Sequence, residues 1–322
     1  LLLIIKYRFG GRIKSRMNNT FQEIINNNLS ISLKKISIIN LRKSFTIANY
    51  YDIDNTLIFP ISGNLRYGRY KKQITSNSFL FVPAHNTVSI SLGSNRTQTL
   101  VYEDFIDNKE KYIFEKNLVQ KRHEIDRYLI INIDVKAYNL VNIFDSRNLD
   151  VIQIKNNFKA LNLFNNIIKE FRFRQPGFNK VVELSSHQLV YEIIREILSK
   201  QPLFSAIEEN FNFFNDEKIL DLFLFIDRNL NKELSNKVIA NHLNISEDYV
   251  GQFFRNNIGF SPQDYIEHKR MEKAIKLLRE ESNAIKAVSN EVGYKDTAYF
   301  CRRFKLMFGV QAGKMRKRMN EI

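Results

Sequence analysis

The chain has 322 residues, and its 49 lysines and arginines exceed its 34 aspartates and glutamates to give a formal net charge of +15. Its 44% hydrophobic and 26% charged residues are globular proportions, which excludes a disordered chain or a fibre, and the length predicts two domains. The single cysteine, Cys301, excludes an internal disulfide, and the five histidines show none of the spacings of common zinc motifs.

The N-terminal region gives no sign of a membrane protein. The first apolar run, Leu1–Ile5, is too short for a secretory signal, and no later run approaches the roughly 20 residues that cross a bilayer. We therefore expect a cytoplasmic protein without a membrane partner. The leader, residues 1–32, is predicted to be a poorly ordered, solvated terminus.

The basic excess favours a polyanionic partner but does not locate its binding site. Residues 216–322 hold 19 lysines and arginines against 15 aspartates and glutamates, so they carry only +4 and the rest of the chain carries +11. The basic residues near the C-terminus are clustered, however, and we take this clustering as the more informative signal.

Residues 33–150 are predicted to form an antiparallel β domain. The runs 78–82 and 87–92 are rich in β-branched and aromatic residues, and the second alternates strictly between apolar and polar. Turn-forming residues separate such runs, as at 83–86. Many short strands without intervening helices indicate a sandwich or a small barrel.

The β domain is also where a small-molecule effector would bind. Its candidate pocket residues are the aromatic residues Phe59, Tyr67, Phe79, Phe81 and Tyr102. The alternative is that these residues form the core of the domain. His85 stands alone near a turn, and we expect it to be an ordinary loop residue. The sequence therefore predicts neither a bound metal nor a cofactor.

Residues 151–200 are predicted to form an αα-hairpin, because apolar residues recur every three or four positions on both sides of Pro176-Gly177. The hairpin could pack against its own domain or pair with its copy in a homodimer, and both could hold at once. Residues 201–216 are the predicted linker.

An internal repeat dominates the remainder of the chain. The positions that recur at an offset of 50 residues are Tyr249 with Tyr299, Phe254 with Phe304, and Gly259 with Gly309. Repeats of this kind indicate duplicated structural units. Each copy is predicted to contain two short helices around a tight turn, which is the helix-turn-helix pattern.

The first copy shows the pattern most clearly. Ser235 is predicted to cap a helix that ends near Leu243, and Asn244 suits the left-handed conformation that ends a helix. A second helix follows the polar segment 246–248. We expect its buried face to hold Tyr249, Val250, Phe253 and Phe254, and its outer face to hold Asp248, Gly251, Gln252 and Arg255.

A longer helix is predicted to join the two copies. Ser261-Pro262 supplies an N-cap and a proline at the first helical position, and the helix is expected to continue to about Glu281. About 20 residues at 1.5 Å each span about 30 Å. Successive major grooves on one face of B-DNA lie about 34 Å apart, so the joining helix has a length that suits two adjacent grooves.

Residues 218–318 resemble the AraC/XylS family of bacterial transcription regulators, most strongly from Val292 to Lys305 with Phe308-Gly309 behind. The resemblance implies seven helices, two helix-turn-helix units and binding to asymmetric half-sites of double-stranded DNA. It also implies an N-terminal cupin-like β domain that senses a ligand or mediates dimerisation. The expected fold is therefore α+β, with a cupin-like β domain and αα-hairpin followed by an all-α DNA-binding domain at 217–322.

The resemblance also assigns candidate DNA-binding residues. Those expected to read bases are Asp248, Gly251, Gln252, Thr297, Ala298, Tyr299 and Arg302, and those expected to bind phosphates are Arg255, Lys295 and Lys305. Arg302 can pair bidentately with guanine and Gln252 with adenine. Gly251 has no side chain to reach a base, so the first copy is expected to read less sequence than the second.

One departure from the family pattern is visible after the second copy. Residues 310–312 read Val-Gln-Ala and position 315 is Met, where the family usually shows Ser-Pro and Tyr. The last helix is therefore expected to lack its N-cap, at a cost of about 1 kcal/mol.

Enzyme classes receive no support from the sequence. It contains neither a G-x-S-x-G motif nor a phosphate-binding P-loop spacing, and the basic neighbours of Cys301 leave only oxidation sensing as a minor alternative. Our hypothesis is a sequence-specific activator, dimeric on DNA, with RNA polymerase as a partner and a small-molecule effector. The alternative is a ligand- or partner-binding module with weak or non-specific DNA affinity.

Overall fold

The computed structural model describes residues 19–93, 97–114, 125–145, 149–200, 203, 217–258, 261–278, 283–308 and 310–315. Except for Leu203, the predicted linker at 201–216 lies outside these residues, as does the first part of the predicted leader. None of the helices within the described ranges is long and apolar enough to cross a membrane.

Within the described ranges, the strands all precede residue 156. They are β1 (Leu29–Leu41), β2 (Phe45–Tyr50), β3 (Asn55–Ser62), β4 (Leu65–Tyr67), β5 (Lys72–Gln73), β6 (Ser78–Val82), β7 (Val88–Leu92), β8 (Gln98–Leu100), β9 (Ile113–Phe114), β10 (Arg127–Ala137), β11 (Val141–Asn142) and β12 (Ile152–Lys155). Two short helices, α2 (Tyr102–Asp107) and α3 (Lys109–Tyr112), lie between β8 and β9.

The strands form two sheets. The first has the order β12-β6-β3-β10-β1-β9 with β11 paired to β10, and the second has the order β5-β4-β7-β2-β8. Every pairing is antiparallel except that of β2 with β8. Because β6 and β7 belong to different sheets, the short turn between them crosses from one sheet to the other. The predicted antiparallel β fold is confirmed, but α2 and α3 interrupt the expected helix-free run of strands, and β12 lies beyond the predicted boundary at residue 150.

The predicted leader extends too far into the chain. Residues from Asn19 to Asn27 form helix α1, in which Ile24 is fully buried, and β1 already begins at Leu29. β1 pairs with β10 along nearly its whole length, from Leu29 opposite Ala137 to Asn40 opposite Arg127. This long-range pairing orders residues 29–32, where the alternation of Leu29, Ile31 and Leu33 with serines is itself typical of a strand.

The predicted αα-hairpin consists of α4 (Phe158–Phe173) and α5 (Phe178–Leu198). Arg174 and Gly177 both adopt positive φ in the turn between them. The hairpin covers one face of the first sheet, where the ring of Phe164 stacks on Phe59 at 4.7 Å and meets Phe79 edge-on at 4.9 Å. Packing against its own domain is therefore confirmed, and pairing in a dimer stays a prediction.

The C-terminal part of the chain is helical. Its helices are α6 (Glu217–Arg228), α7 (Asn236–Leu243), α8 (Glu247–Ile258), α9 (Pro262–Leu278), α10 (Ile285–Glu291) and α11 (Thr297–Phe308), followed by a helical turn at 312–315. Among the described residues this gives the seven expected helical segments. We call α7 with α8 unit one and α10 with α11 unit two, and α9 joins them.

The two units are packed differently. Unit one has a buried core with α6, centred on Phe254, Ile239 and Leu222, each almost fully buried. From the β domain, only the partly buried Leu140 and Val141 pack against this core among the described residues. The core of unit two, centred on Phe300 and Phe304, is continuous with the core of the second β-sheet. The ring of Tyr51 in the β domain lies 5.5 Å from that of Phe308 at the end of α11, so the two cores meet there.

The last helical turn is well packed in spite of its missing cap. Val310, Ala312 and Met315 are at most 2% exposed. The backbone N–H of Gln311 donates to the carboxylate of Glu103 in α2 at 3.4 Å. The β domain thus supplies an acceptor at the start of a helix whose own sequence lacks one.

Candidate nucleic-acid interface

The helices of unit one begin and end where the sequence predicts. The hydroxyl of Ser235 accepts from the backbone N–H of Val238 at 3.4 Å, and Asn244 ends α7 with φ of 53°. The left-handed Asn244 lets the chain turn directly into α8, whose first turn is acidic with Glu247 and Asp248. Acidic residues are favourable at this end of a helix.

The two faces of α8 differ sharply in exposure. Val250, Phe253 and Phe254 are buried, whereas Asp248 and Gln252 are exposed and Gly251 is half-exposed. A Cβ added at Gly251 would approach only the Arg255 guanidinium, at 3.7 Å. The outward face of α8 is therefore open to a partner, and nothing in the packing of the helix requires glycine at 251.

Tyr249 does not lie where the sequence predicts. It is 42% exposed instead of buried, because its position in the first turn of α8 lets the ring contact only the edge of Phe253, with centroids 6.3 Å apart. Its counterpart in the repeat, Tyr299, is 47% exposed. The 50-residue offset could have found Tyr249 as a candidate DNA-facing residue beside the predicted ones.

The second helix of unit two, α11, begins with an aspartate cap. The carboxylate of Asp296 accepts from the backbone N–H groups of Ala298 at 2.7 Å and Tyr299 at 3.1 Å. These two hydrogen bonds hold the pKa of Asp296 below its usual range. The cap fixes the first turn of the helix and hence the backbone that carries the predicted base-reading residues.

The predicted base-reading residues of α11 are accessible. Ala298, Tyr299 and Arg302 are exposed and Thr297 is half-buried. The Arg302 guanidinium lies 5.9 Å from the ring centroid of Tyr299, close enough for a weak cation–π contact. This contact favours an arginine that extends along the outer face of α11.

The basic side chains of this region divide into two sets. Arg255 and Lys305, which occupy equivalent positions in α8 and α11, are exposed, and so is Lys295 before α11. Arg303 instead forms a two-pronged ion pair with Glu267 of α9, at 2.6 and 2.5 Å. Lys314 pairs with Asp107 of α2 at 2.9 Å. Part of the basic charge clustered near the C-terminus is therefore taken up by ion pairs within the protein.

Helix α9 holds the two units together by contacts with both. The guanidinium of Arg270 donates to the carbonyls of Leu230 at 2.9 Å and Lys232 at 2.7 Å beside unit one, and it lies 5.8 Å from the ring centroid of Tyr294 in unit two. Burial and nearby Glu267, which accepts from the Tyr294 hydroxyl at 3.3 Å, raise the pKa of Tyr294. One arginine therefore bridges the two units.

A glycine completes the junction. Gly293 has φ of 86°, and a Cβ there would lie 2.4 Å from the carbonyl oxygen of Leu230. Both its conformation and its close neighbour require glycine. α9 itself has 17 residues, about 25 Å at 1.5 Å per residue. The rest of the joining helix expected at 279–281 lies outside the described residues.

The β domain contains a cavity of about 360 Å³ between its sheets. Its walls are largely isoleucine, leucine and phenylalanine from β1, β2, β3 and β7, with Tyr102 and Phe105 of α2. The lysines 34, 35 and 109 and the aspartates 52 and 54 supply polar groups. This combination of apolar walls with a few polar groups is typical of small-molecule sites.

Only one of the five aromatic residues expected to line a pocket, Tyr102, does so. Phe79 and Phe81 are about 1% exposed in the core beneath the hairpin, and Phe59 is stacked there on Phe164. Tyr67 packs at the margin of the other core. Strand alternation explains the difference, since Leu80 and Val82 of the same strand face the second sheet.

His85 is not the isolated loop residue that the sequence predicts. Its side chain is only 10% exposed, with Nδ1 3.0 Å from the carboxylate of Asp145 and Nε2 3.5 Å from that of Glu272 in α9. These residues are far apart in the sequence, so no spacing motif could have shown the cluster.

Comparisons with known proteins agree with this description of the C-terminal region. The sequence model of a family described as a helix-turn-helix domain matches residues 239–318. The lactose operon transcription activator of Staphylococcus xylosus is 29% identical over 129 residues, which cover 40% of this chain and 45% of that protein. The Msm operon regulatory protein of Streptococcus mutans is 28% identical over 159 residues, covering 49% and 56%. The chain thus matches about half the length of these curated relatives.

Solved structures were also compared. ToxT from Vibrio cholerae, in its apo form, aligns over 91% of this chain and 98% of its own, with 11% identity and a TM-score of 0.48. The C-terminal domain of the response regulator yesN from Fusobacterium nucleatum aligns over 31% of this chain and 99% of its own, with 26% identity and a TM-score of 0.31.

The matched residues include both units and α9. The curated relatives are named as operon regulators, which agrees with the expectation that the chain is not an enzyme. Residues 239–318 thus match a helix-turn-helix domain family, which agrees with the resemblance of this region to the AraC/XylS regulators.

Proposed function

We propose that the chain is a cytoplasmic, sequence-specific transcription activator whose helices α8 and α11 enter adjacent major grooves of DNA. The proposal is carried by the matched faces of α8 and α11. Both helices bury apolar residues at two equivalent positions, and both expose polar residues at two others: Val250 with Phe300, Phe254 with Phe304, Gln252 with Arg302, and Arg255 with Lys305. Arg270 and Gly293 hold the two units against each other, which supports a fixed spacing between the two helices.

Within this proposal the exposed residues have distinct roles. Arg302 pairs with guanine and Gln252 with adenine in the major groove. The remaining base-reading positions are Asp248, Gly251, Thr297, Ala298 and Tyr299. Arg255, Lys295 and Lys305 bind phosphates, which positions the protein without selecting a sequence.

The experiment that tests the proposal is selection of bound duplexes from a random pool, followed by titration of the selected duplex at two salt concentrations. A regulator of this kind gives a defined sequence and an affinity that falls steeply with salt. Absence of both results would contradict the proposal and would favour a ligand- or partner-binding module with weak, non-specific DNA affinity.

Regulation through the β domain is the second part of the proposal. Tyr102 and Phe105 of α2 line the cavity, while Glu103 and Asp107 of the same helix contact Gln311 and Lys314 beside unit two. A small molecule in the cavity would therefore touch the helix that contacts the DNA-binding domain. Such a ligand regulates DNA binding only if it binds two conformations of the protein with different affinity.

This part is tested by repeating the selection with and without the small-molecule fraction of a cell extract. We expect DNA affinity to change with the extract for the wild type and to stop changing for the double variant Glu103→Gln, Asp107→Asn. An unchanged response in the variant would show that Glu103 and Asp107 of α2 do not transmit the effect of the ligand to the DNA-binding domain.

The proposed homodimer uses the hairpin. Four large apolar side chains are 41–70% exposed on α4 and α5: Phe158, Phe173, Val181 and Leu184. Sedimentation of the full chain with and without DNA tests this, and Leu184→Glu is expected to shift a dimer towards monomer.

Activation itself is tested by transcription in vitro with purified RNA polymerase.

A further inference from the structure

Four side chains with metal-binding groups meet where the β domain touches α9. His85 lies in the turn between β6 and β7, and Asp145 follows β11. His268 and Glu272 lie one turn apart on the same face of α9. One donor atom from each of the four residues lies within 4.8 Å of the other three.

The individual distances are close to those of a shared ligand sphere. His268 Nε2 lies 3.8 Å from a carboxylate oxygen of Asp145 and 3.7 Å from one of Glu272. His85 lies 3.0 Å from the first carboxylate and 3.5 Å from the second. Bonds of about 2.1 Å in a tetrahedral zinc site separate neighbouring ligand atoms by about 3.4 Å. Small side-chain rotations would therefore bring the four ligand atoms to the separations of a tetrahedral zinc site.

The ring nitrogens of both histidines face the carboxylates of Asp145 and Glu272. Neither ring nitrogen of His85 makes a hydrogen bond of regular geometry, nor does Nε2 of His268, although all three are buried. The side chains of His85 and Glu272 are only 10% exposed. A buried polar atom without a hydrogen bond is costly, so these nitrogens indicate a ligand.

The carboxylates are held in place for this role. Glu272 accepts from the Lys269 ammonium through its other oxygen, Oε2, at 3.0 Å, and that ammonium also donates to the carbonyl of Leu140 at 3.2 Å. Oε1 is left facing both histidines. A second contact of this kind orients a metal ligand. Asp145 and His268 are about one-third exposed, which leaves a path for an ion.

We propose that His85, Asp145, His268 and Glu272 bind one divalent transition-metal ion between the β domain and the DNA-binding domain. Two imidazole nitrogens and two carboxylate oxygens suit Zn²⁺ and its neighbours, whereas Ca²⁺ and Mg²⁺ favour oxygen ligands throughout. Because each domain supplies two ligands, the ion stabilises the packing of the β domain against α9. The proposal departs from the sequence-based expectation of no metal, and the two are separated by the test below.

The test uses the full chain without a histidine tag and without DNA, so its outcome is independent of the proposed function. Zn²⁺ is titrated by calorimetry, and Co²⁺ is added as a spectroscopic probe of the ligand sphere. We expect one ion per chain, visible Co²⁺ absorption bands that Zn²⁺ removes, and a higher melting temperature with Zn²⁺. His85→Gln and His268→Gln should each weaken Zn²⁺ binding at least about a hundredfold.

The chain contains a matched control. Glu183 and His187 on α5 have the same four-residue spacing, with the imidazole 3.9 Å from the carboxylate, but lack partners from a second domain. His187→Gln should leave Zn²⁺ affinity unchanged. Wild-type affinity in His268→Gln, or an equal loss in His187→Gln, overturns the proposal.

Wild-type NMR keeps the proposal testable if a variant does not fold. Zn²⁺ should shift the imidazole resonances of two histidines and leave those of the other three in place. Absence of any shift at one equivalent of Zn²⁺ overturns the proposal without use of a variant.

Discussion

Unit one and unit two share a plan but differ in what surrounds them. Unit one has a core of its own and presents the small Gly251 at the centre of its outward face. Unit two shares a core with the β domain, contacts α2 and presents Arg302 at the position of Gln252. Duplication thus preserves the fold of a unit, while its surroundings determine how much of its core is shared with the β domain.

The largest expected effect concerns the two cores. Phe304→Ala and Phe254→Ala both remove a fully buried ring and should each cost about 3–5 kcal/mol of folding free energy. Because the core of unit two continues into the β domain, Phe304→Ala should also increase hydrogen exchange in the second sheet, whereas Phe254→Ala should increase it only in unit one and α6. Equal exchange of the second sheet in the two variants would contradict the difference between the cores.

The turns of the two units should also respond differently. Gly293→Ala forces a Cβ towards the Leu230 carbonyl at positive φ and should cost about 1–3 kcal/mol. Asn244→Gly, at the corresponding turn of unit one, should change stability by less than about 0.5 kcal/mol, since Asn244 is already left-handed. Denaturant unfolding measures both. A loss of less than about 0.5 kcal/mol in Gly293→Ala would show that the junction does not depend on glycine.

Base recognition should be stronger in unit two. Arg302→Ala should cost about 1–3 kcal/mol at one base pair of the selected duplex and relax the preference there. Gln252→Ala should cost less, because its neighbour Gly251 offers no supporting side chain. Competition binding with single-base variants of the duplex gives both values. Equal losses of binding free energy for Arg302→Ala on selected and random duplexes would show that Arg302 does not read a base.

The smallest expected effect is at Gly251. Alanine there meets only ordinary contact with Arg255 and should stabilise α8 by about 0.5–1 kcal/mol, since glycine is unfavourable inside a helix. Thermal unfolding measures the change. Destabilisation would mean that the outward face of α8 is less open than its exposure indicates.

How much the sequence predicts depends on whether a feature is local. The caps at Ser235 and Asn244 and the buried positions Val250 and Phe254 follow from helical spacing and turn chemistry, and the structure confirms them. The repeat could also have placed Tyr249 with Tyr299. A base-reading role for any residue stays a prediction.

Features that join distant segments could not be predicted. The pairing of β1 with β10 ordered part of the expected leader, and the packing of the hairpin on the first sheet decided that Phe79 and Phe81 lie away from the cavity. The meeting of His85 with α9 brings together residues more than 180 positions apart. Tertiary contacts of this kind leave no periodic signal in the sequence.

The central claim is that α8 and α11 read two adjacent major grooves from a fixed spacing. Mapping the base preferences lost in Gln252→Ala and in Arg302→Ala on one selected duplex tests it most directly. The account predicts two separate positions about 10 base pairs apart, one helical turn of DNA. Losses at the same base pair, or at positions whose separation varies between selected duplexes, would contradict it.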